Sequence, residues 1–583
     1  MKPSIHGKLP LVRNVSYLKT NSRLFTFFKQ HPHACDCVLI LFVTGMIFGF
    51  VSYFYRFAEP LQARVDIDLS PLSLPKYTFF SMSRGLVGYI LSLIFSLLWG
   101  FWAAKDKVAE RVLIPVLDIL QSIPILGFMP GLILLLVGLF PHNNMGLELA
   151  AIIMVFSSQA WNMAFGVYHS IRIIPQDKID CSAVYRFSNW QRIKWLEIPY
   201  TIISLVWNSI MSMAGGWFFL IVNEAFRLGD RDFQLPGLGS YMSVAAANGN
   251  IPAMFWAILS MILLIVFLDY FLWKPLVAWS QKFRVEETGS IAYTDSLFFQ
   301  VITHSFLMNT LRKSVHFLCT LSLKKRSRAS KKPLTALIVS RSGLGLLLCV
   351  ITVILLFLTS MILEIPFDQW LHLGHMTLLT FGRVICCIVI GTFIALPLGL
   401  WLGLSKTLSS RLEPVIQVVA SFPATLLFPI LILLFNYTGI SLNIGCIILM
   451  LMGTLWYILF NVIAGAKAMP SDLREVSITF RLGTLQKFLR LYLPAVFPYL
   501  ITGLVAAAGG AWNASIVAEY VSYKDQILTI PGIGSMINLS AQNGNIPLLV
   551  ASILVMAAVV VILNYQVWLR LFHYSEKRFS LNY

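Results

Sequence analysis

The chain contains a series of long apolar runs, separated by short polar segments, and this series occurs twice. A helix needs about 20 mostly apolar residues to cross the hydrocarbon core of a membrane. We expect every run to be helical, because a helix satisfies its own backbone hydrogen bonds in lipid. Runs of the required length lie near residues 38–57, 79–103, 112–139, 147–171, 200–222 and 251–275, and again near 340–363, 378–404, 414–436, 441–465, 495–518 and 547–571.

Two constant spacings indicate that these twelve runs are two copies of one six-span module. Asn-Gly-Asn-Ile-Pro occurs at residues 248–252 and again 295 residues later, and Pro199 and Pro494 have the same spacing. Upstream of the fourth span the spacing is 299, as between Arg84 and Arg383. An even number of spans makes the copies parallel, with a pathway expected between them. The predicted fold is an all-α integral membrane protein of two tandem six-helix domains.

The predicted domain boundaries follow the apolar runs. The stretch around residues 298–321 is modestly amphipathic, which leaves two alternatives: a helix on the membrane surface or a simple tether. Two prolines in each third span, at 124 and 130 and at 423 and 429, are expected to kink it. The predicted segments are a cytoplasmic N-terminal segment (1–32), a first transmembrane domain (33–283), a basic cytoplasmic linker (284–337), a second transmembrane domain (338–575) and a cytoplasmic tail (576–583).

Composition and charge agree with a membrane protein and argue against nucleic-acid binding. Of 583 residues 57% are hydrophobic and 12% charged, with mean hydropathy +0.77, whereas soluble chains carry about 25% charged residues. The net charge of +18 arises largely before the first run and between the copies. This bias predicts cytoplasmic termini. The first run is too long for a cleaved signal peptide and is expected to remain as an anchor.

Cysteine and histidine usage predicts neither disulfides nor a metal site. Four of the eight cysteines, at 349, 386, 387 and 446, lie within apolar runs, which makes a disulfide framework improbable. A local cluster has metal-like composition but lies at the edge of the first span, with no equivalent in the second copy, so interfacial residues are the favoured interpretation. The cluster consists of His31, His33, Cys35 and Cys37.

The longest polar interruption within each copy lies between spans four and five. In both copies an acidic residue is followed by small residues, an aromatic residue and an arginine, and the segment ends at Pro199 or Pro494. A short helix, a turn and a second helix opened by the proline are predicted. The residues singled out in these loops are Asp180, Ser182, Tyr185 and Arg186 in the first copy, and Glu475, Ser477, Phe480, Arg481 and Gly483 in the second.

These loops resemble the signature of the permease subunits of ATP-binding-cassette importers. That signature reads Glu-Ala-Ala, three residues, Gly, and then Ile/Leu-Pro after a fixed interval. The interval from Glu475 to Pro494 matches it, and Asp180 stands for the Glu in the first copy. Both copies depart from it at the Gly position, which holds Arg186 and Arg481. The resemblance covers both copies, and the third and fifth spans are most similar to the nitrate/sulfonate/taurine branch.

The resemblance implies a function in transport. Each loop would be a coupling helix that docks on one of two copies of a cytoplasmic ATPase. The solute would be a small anion, delivered by an extracytoplasmic binding protein to a bacterial inner-membrane permease, and the segments at 236–252 and 531–547 would form the outer gate. No phosphate-binding loop is present, so we expect ATP hydrolysis in the partner, no cofactor in this chain and no enzymatic activity of its own.

The fifth span carries the candidates for a pathway wall or gate. Asn208, Ser212 and Gly216 recur every four residues and therefore share one helix face, although small residues also favour simple helix packing. Helical rise places Glu224 about 37 Å beyond Pro199, near the outer surface, where a gate or structural ion pair is expected. The candidates are Asn208, Ser212, Gly216, Trp217, Glu224, Gly510, Trp512, Asn513 and Glu519.

Two other classes of function remain open at this point. A secondary transporter driven by an ion gradient would also have twelve spans in two halves, but it predicts ionisable residues near mid-membrane, which are scarce here. A membrane scaffold without transport activity would not require matched Gly, Asn and Glu positions in the two copies. An ATP-driven importer permease accounts for both the loops and the matched positions.

Overall fold

The structure, a computed structural model, divides the chain into two packing units. One unit contains the described parts of Met1–Phe48 and Asp269–Ala329, and the other those of Gly49–Leu268 and Ser330–Tyr583. The structure describes residues 32–60, 66–228, 231–283, 296–306, 358–469, 479–523 and 526–579, with isolated positions in 308–356 and in 473–475.

The first copy is built of helices with one small hairpin. We name α2 span two, α5 span four and α8 span five of this copy. Its elements are α1 (Pro32–Tyr55), α2 (Leu74–Lys105), α3 (Lys107–Ser122), α4 (Ile125–Leu139), α5 (Met145–Arg172), α6 (Gln176–Val184), α7 (Asn189–Arg192), α8 (Ile198–Glu224), β1 (Ala225–Leu228), β2 (Arg231–Gln234), α9 (Leu238–Ala247), α10 (Ile251–Leu268), α11 (Lys274–Ser280) and, in the linker, α12 (Leu297–His304).

The second copy repeats this order. Spans two, four and five are α13, α16 and α18, and the end of span five that carries Glu224 or Glu519 is called the distal end in each copy. The elements are α13 (Phe367–Leu404), α14 (Lys406–Ser421), α15 (Phe428–Thr438), α16 (Leu442–Ala468), α17 (Thr484–Lys487), α18 (Leu493–Ala518), β3 (Tyr520–Tyr523), β4 (Gln526–Thr529), α19 (Ile533–Gln542), α20 (Ile546–Leu563) and α21 (Leu569–Phe579).

The all-α membrane architecture predicted from the sequence is confirmed. Among the described residues nine helices are long and apolar enough to cross a membrane, or up to eleven if each of two bent pairs counts as one span. The expected span at 340–363 lies largely outside the described residues. The same holds for residues 1–31 and for most of the linker, including its stretch beyond α12.

The third span of each copy is broken rather than kinked. In the first copy α3 and α4 meet at 94°, and Pro124 lies at the break; in the second the corresponding helices meet at 78° beside Pro423. Proline lacks the N–H group that would continue the helix. By contrast, Pro130 lies inside α4, so only the first proline of each pair breaks the span.

Two short antiparallel hairpins follow span five, and the sequence analysis had not predicted them. In the first hairpin Leu228 pairs with Arg231, and in the second Tyr523 pairs with Gln526. Each loop therefore contains two residues, Gly-Asp in the first copy, which is a recognised hairpin signal.

The smaller unit is held together by aromatic packing and one polar contact. The buried side chains of Cys35, Leu39 and Phe298 pack together, and Ser305 Oγ donates a 2.6 Å hydrogen bond to Asp36. The linker helix α12 is thus packed within this unit. In the described part of the chain no three His, Cys, Asp or Glu side chains are grouped as a metal site would require; His31 lies outside that part.

In the larger unit, spans two and four of each copy approach closely at matched glycines. A β-carbon added to Gly100 would lie 2.7 Å from Val167 Cγ1, and one added to Gly399 would lie 2.6 Å from Val462 Cγ1. These residues pair across the repeat. Small residues allow helices in membranes to pack backbone to backbone, so the sequence duplication has preserved a packing contact as well as a pattern.

The two copies also pack against each other through their broken third spans. Helix α4 of the first copy packs against α18 and α19 of the second, and α14 and residues 424–427 of the second pack against α8 of the first. The exchange is reciprocal, as a two-fold arrangement requires. Span five of each copy is therefore surrounded partly by its own copy and partly by the other.

The glycine contact between spans two and four gives a first prediction. We expect Gly399→Ala to destabilise the protein by about 1–3 kcal/mol, because the new methyl group has no room beside Val462. Thermal unfolding of the purified protein in detergent measures this. Gly382→Ala is the matched control, since a β-carbon there would have nothing within 4 Å. Val462→Gly, which removes both Cγ1 and the Cβ that would lie 2.8 Å away, should restore part of the loss; a loss that is equal in the presence of that change would contradict the packing explanation.

Candidate functional site

At the distal end of each span five, a buried glutamate and an arginine join three segments of the chain. We call these two clusters the clamps. The first clamp contains Ser81, Arg84, Glu148, Glu224 and the backbone of residues 236–239; the second contains Thr380, Arg383, Asn443, Glu519 and the backbone of residues 531–534.

In the first clamp, Arg84 lies between two carboxylates. Its Nε and Nη2 donate to both oxygens of Glu148, at 2.7 and 2.8 Å, and its Nη1 donates to Glu224 Oε1 at 2.7 Å and to the Pro236 carbonyl at 2.9 Å. The Ser81 hydroxyl also donates to Glu224 Oε1, and the Gly239 N–H donates to Glu224 Oε2. All three charged side chains are at most 1% exposed. Pairing of this quality is required for charges buried in a membrane.

The second clamp repeats these contacts with one substitution. Arg383 Nη1 donates to Glu519 Oε1 at 2.7 Å and to the Pro531 carbonyl at 2.9 Å, and Thr380 takes the place of Ser81. The residue that corresponds to Glu148 is Asn443, whose Oδ1 accepts a 3.3 Å bond from Arg383 Nη2. The first clamp thus contains two carboxylates and the second only one.

The repeated Pro-Gly-x-Gly-Ser segments owe their glycines to these clamps. A β-carbon on Gly237 would lie 2.3 Å from the Glu224 carboxylate, and one on Gly532 would lie 2.2 Å from Glu519 Oε2. One on Gly239 would lie 2.3 Å from the Ile221 carbonyl of span five. The first glycine lets the turn reach the carboxylate, and the second lets its N–H approach from the side of the span.

The candidate residues of span five point in three directions. Trp217 is buried near Gly85 of span two, and Trp512 stacks on Phe381 of span two at 6.5 Å between ring centroids. Glu224 and Glu519 face the same span through the clamps. These four residues therefore join span five to its own span two, and their contacts are those of a structural ion pair with its flanking ring.

The polar stripe of the first copy faces span four. Asn162 Nδ2 donates to Ser212 Oγ at 3.1 Å, and a β-carbon on Gly216 would meet Gln159 Nε2 at 2.5 Å. Asn208 packs against Gly166 of the same span. The contacts of Asn208, Ser212 and Gly216 are those of the packing alternative for this stripe, and their assignment to a pathway wall remains a prediction.

A different face of span five is exposed in each copy, and one of its residues, Gly215, lies at the junction of the copies. Trp207 and Met211 are 47% and 45% exposed, and Gly215 follows four residues later on the same face. The residues that correspond to them are Thr502 and Ala506, which are also exposed, and Gly510. We call this set the junction face. Of this set the sequence singled out only Gly510, because exposed apolar and small residues resemble a lipid-facing surface.

Tyr457 of span four in the second copy stands at this junction. Its ring lies beside Gly510, where a β-carbon would be 3.1 Å from Cε2, and its hydroxyl lies beside Gly215 of the other copy. A β-carbon on Gly215 would be 3.6 Å from that oxygen and would meet no other described group outside its own helix within 4 Å. Nearby, Leu126 N–H donates a long 3.5 Å bond to Asn513 Oδ1 of the other copy.

The loop between spans four and five forms a short helix followed by a left-handed turn in the first copy, and the left-handed turn recurs in the second. In the first copy α6 carries Asp180 and Ser182, and the turn is closed by the Phe187 N–H donating to the Ser182 carbonyl at 3.0 Å. Tyr185 is 76% exposed at its end. In the second copy Glu475 is helical and exposed, Phe480 is 72% exposed, and Gly483 precedes α17; Ser477 lies outside the described residues.

Arginine occupies the left-handed position of both turns. Arg186 has φ of 52° and Arg481 has φ of 49°, and they are the only non-glycine residues with positive φ in the described part of the chain. This conformation costs a residue with a side chain roughly 1–2 kcal/mol, a cost that glycine avoids. The turn served by glycine in the family signature is thus present here with arginine in its place.

The helix after each turn does not begin at the proline, which corrects the prediction. It starts at Asn189 or Thr484 and continues through a wider turn, Ile193–Glu197 or Phe488–Tyr492, into span five. Proline has no N–H to donate four residues back, and a turn with i→i+5 hydrogen bonding accommodates it within a continuous helix. Each loop is therefore directly connected to its clamp by one helix.

In the first copy a buried glutamate holds the wider turn Ile193–Glu197 in place. Glu197 is 1% exposed and pairs with Lys105 Nζ at 2.8 Å and Arg192 Nε at 3.0 Å. The corresponding residue of the second copy is Tyr492. The pairing joins the loop end of span five to the end of span two, and it could not be read from the sequence because the two residues are distant in the chain.

Comparison with known families agrees with these features. The family model of binding-protein-dependent transport system inner membrane components matches the chain twice, over residues 96–272 and 395–580. These two ranges cover more than half of the chain. The chain belongs to this family. It is a tandem importer permease, as the sequence predicted, and each match includes one complete loop, one span five and one glycine turn.

Curated relatives of this permease are transport proteins. It is 31% identical to a nitrate import permease of Synechococcus elongatus over 25% of its own length and 51% of the relative's. It is 27% identical to a bicarbonate transport permease of the same organism, over 33% and 67% of the two lengths. Over 32% and 63% it is 25% identical to a putative aliphatic sulfonates permease of Bacillus subtilis. The chain spans about half the length of the nitrate permease.

The unequal clamps of the permease give a second prediction. Arg84→Ala should cost roughly 3–5 kcal/mol of stability, because it leaves two carboxylates buried without their cation. Arg383→Ala should cost less, because it leaves only Glu519 and its site is partly exposed. Thermal unfolding in detergent compares the two. Glu148→Asn, which copies the second clamp into the first, should cost less than Arg84→Ala. Equal losses for the two arginine variants would contradict the description of the clamps.

Proposed function

We propose that this chain forms the translocation pathway of an ATP-driven importer for a small oxyanion, coupled through its two loops to a separate ATPase. The pathway would run along the junction face between the copies. The loops would lie in the cytoplasm and the clamps on the outer side, where a solute-binding protein would deliver the anion. The membrane would be a bacterial inner membrane, with both termini in the cytoplasm.

The observation that carries this proposal is the continuity of the helix through loop, junction and clamp. In the first copy one helix runs from Asn189 to Glu224 over 36 residues, and in the second one runs from Thr484 to Ala518 over 35. At 1.5 Å per residue each is about 53 Å long. A push on both loops would therefore move both junction faces together, as alternating access requires.

Exposed apolar side chains at the loops support docking of a partner there. Val184 and Tyr185 are 80% and 76% exposed, and in the second copy Phe480 and Leu485 are 72% and 70% exposed. Tyr185 and Phe480 occupy corresponding positions, and two loops that present an exposed aromatic residue at the same place fit two copies of one ATPase better than a single asymmetric partner. Exposed apolar groups of this kind are typical of interaction surfaces.

The oxyanion class is supported by the named relatives and by the chemistry of the junction. The relatives are named for nitrate, bicarbonate and aliphatic sulfonates. The Tyr457 hydroxyl has no hydrogen-bond partner among the described residues and points toward the open side of Gly215. A hydroxyl can donate to an anion without binding it as tightly as a buried cation would, which suits passage through a pathway.

Coupling through the loops gives a third prediction. With the chain in proteoliposomes and a co-purified ATP-binding-cassette ATPase, we expect Asp180→Ala and Glu475→Ala to lower the solute-stimulated ATP hydrolysis at least severalfold, because each removes a charge-assisted contact at the docking helix. Hydrolysis by the ATPase alone is the reference rate. Asp66→Ala, on a segment between spans one and two, is a matched acidic control.

The outcome separates ATP-driven from gradient-driven transport. If no ATPase binds the chain, or if uptake continues without ATP and follows a proton or sodium gradient, the importer proposal is wrong. Loop variants that leave coupling at the wild-type level would instead remove the loops from the mechanism.

The open junction gives a fourth prediction. Gly215→Val should reduce uptake of nitrate, bicarbonate or an alkanesulfonate, whichever the wild-type protein takes up, by tenfold or more while leaving the protein folded, because the side chain would fill the space before Tyr457. Gly382→Val is the matched control, since that glycine lies in span two of the second copy and a β-carbon there would have nothing within 4 Å. Uptake of labelled solute into proteoliposomes measures both.

Two results would contradict this prediction. Equal uptake by Gly215→Val and wild type would place the pathway elsewhere. A matching loss in Gly382→Val would show that bulk on any exposed helix face impairs the protein.

A further inference from the structure

No contact within the described residues explains why arginine occupies the two left-handed turns. Arg186 and Arg481 are exposed, and neither guanidinium has a hydrogen-bond or ion-pair partner among the described residues. Glycine would adopt these turns without strain. An unfavourable backbone conformation that persists with an unused side chain points to a role outside the chain.

The comparison of the copies strengthens this reading. After the arginine the copies differ: Phe187 corresponds to Leu482, and Ser188 corresponds to Gly483. The arginine and its left-handed conformation are the same in both, with φ values only 3° apart. Two turns that have diverged around one unfavourable arginine share a requirement for that side chain.

The surroundings of each arginine define the complementary surface. Arg186 lies between exposed Tyr185 and Phe187, whose ring centroids are 6.4 Å apart. Arg481 follows exposed Phe480. A cation between apolar side chains is matched by a carboxylate at the bottom of an apolar groove, where a charge-assisted bond is shielded from water. Arginine and aromatic residues are also enriched among the residues that dominate the binding energy of interfaces.

We propose that Arg186 and Arg481 each insert into a groove of the ATPase and pair there with a carboxylate. The proposal rests on the coupling function proposed above. It adds a specific contact to that function: the position at which the family signature has glycine acts here as a second charged anchor, opposite in sign to Asp180 and Glu475. Each loop then presents a carboxylate and a guanidinium, six residues apart in the sequence. The ATPase must offer a cation for the first and a carboxylate for the second.

Replacement by glycine separates this role from a structural one, because the two roles predict opposite signs. Arg186→Gly and Arg481→Gly relieve the backbone, so the purified chain should unfold at the same or a higher temperature. Binding of the ATPase that forms a complex with the wild-type chain should nevertheless weaken by about tenfold per site, which is the loss of one charge-assisted contact. The weakening should shrink at high salt, because the wild-type contact is itself screened there.

Two control variants complete the experiment. Arg481→Lys keeps the charge and the strain, and it should bind better than Arg481→Gly but less well than wild type, because lysine cannot form the bidentate pair. Lys487→Gly removes a cation from the neighbouring helix α17 and should leave binding within twofold of wild type. Binding is measured by surface-immobilised titration of the full chain in nanodiscs.

Three results would decide the matter. Unchanged binding in both glycine variants would overturn the arginine contact while leaving the coupling function intact. Lower thermal stability in the glycine variants would overturn the strain argument and assign the arginines a structural role. If no ATPase binds the wild-type chain, the coupling function fails, and this contact fails with it.

Discussion

The architecture depends on placing a charged pair inside a membrane protein at the distal end of each span five. Arg84 with Glu224 is fully buried, and Glu519 is buried beside a partly exposed Arg383, where the surrounding helices are apolar. A charge at such a place is tolerated only with a close partner, so the spans and turns that supply the partners must remain together. Span two supplies the cation, span five the carboxylate and the glycine turn the N–H groups. The remainder of each copy is arranged around this junction of three segments.

Span five serves three neighbours with three faces. One face meets span two through the tryptophan and the clamp glutamate, and a second meets span four through Asn208, Ser212 and Gly216. The third face carries Gly215, which lies beside Tyr457 of the other copy, and Gly510, which packs against Tyr457 from within the same copy. The polar residues of this helix are used in packing, and its exposed face carries small and apolar residues. A pathway for a polar solute would usually be expected to have the opposite arrangement.

The sequence was sufficient for the fold class and the duplication, because apolar runs and glycine or proline spacings are local patterns. It was also sufficient to pair Arg84 with Arg383, although not to find their partners, since Glu148 is distant in the chain and carries no pattern of its own. It did not predict that the helix continues through Pro199, where a wider helical turn accommodates the proline. It also did not predict the two hairpins, whose strands are only four residues long. Tyr457 could not be found because its significance depends on a contact between the copies.

The replacement of Glu148 by Asn443 has a consequence for how such a protein can change over generations. In a permease assembled from two identical subunits, every substitution appears on both sides of the symmetry axis, and a change that suits one side is imposed on the other. Fusion of the copies into one polypeptide removes that constraint. One copy can then keep a clamp with two carboxylates while the other has a clamp with one. The difference in stability between the two copies is then encoded in the chain and inherited with it.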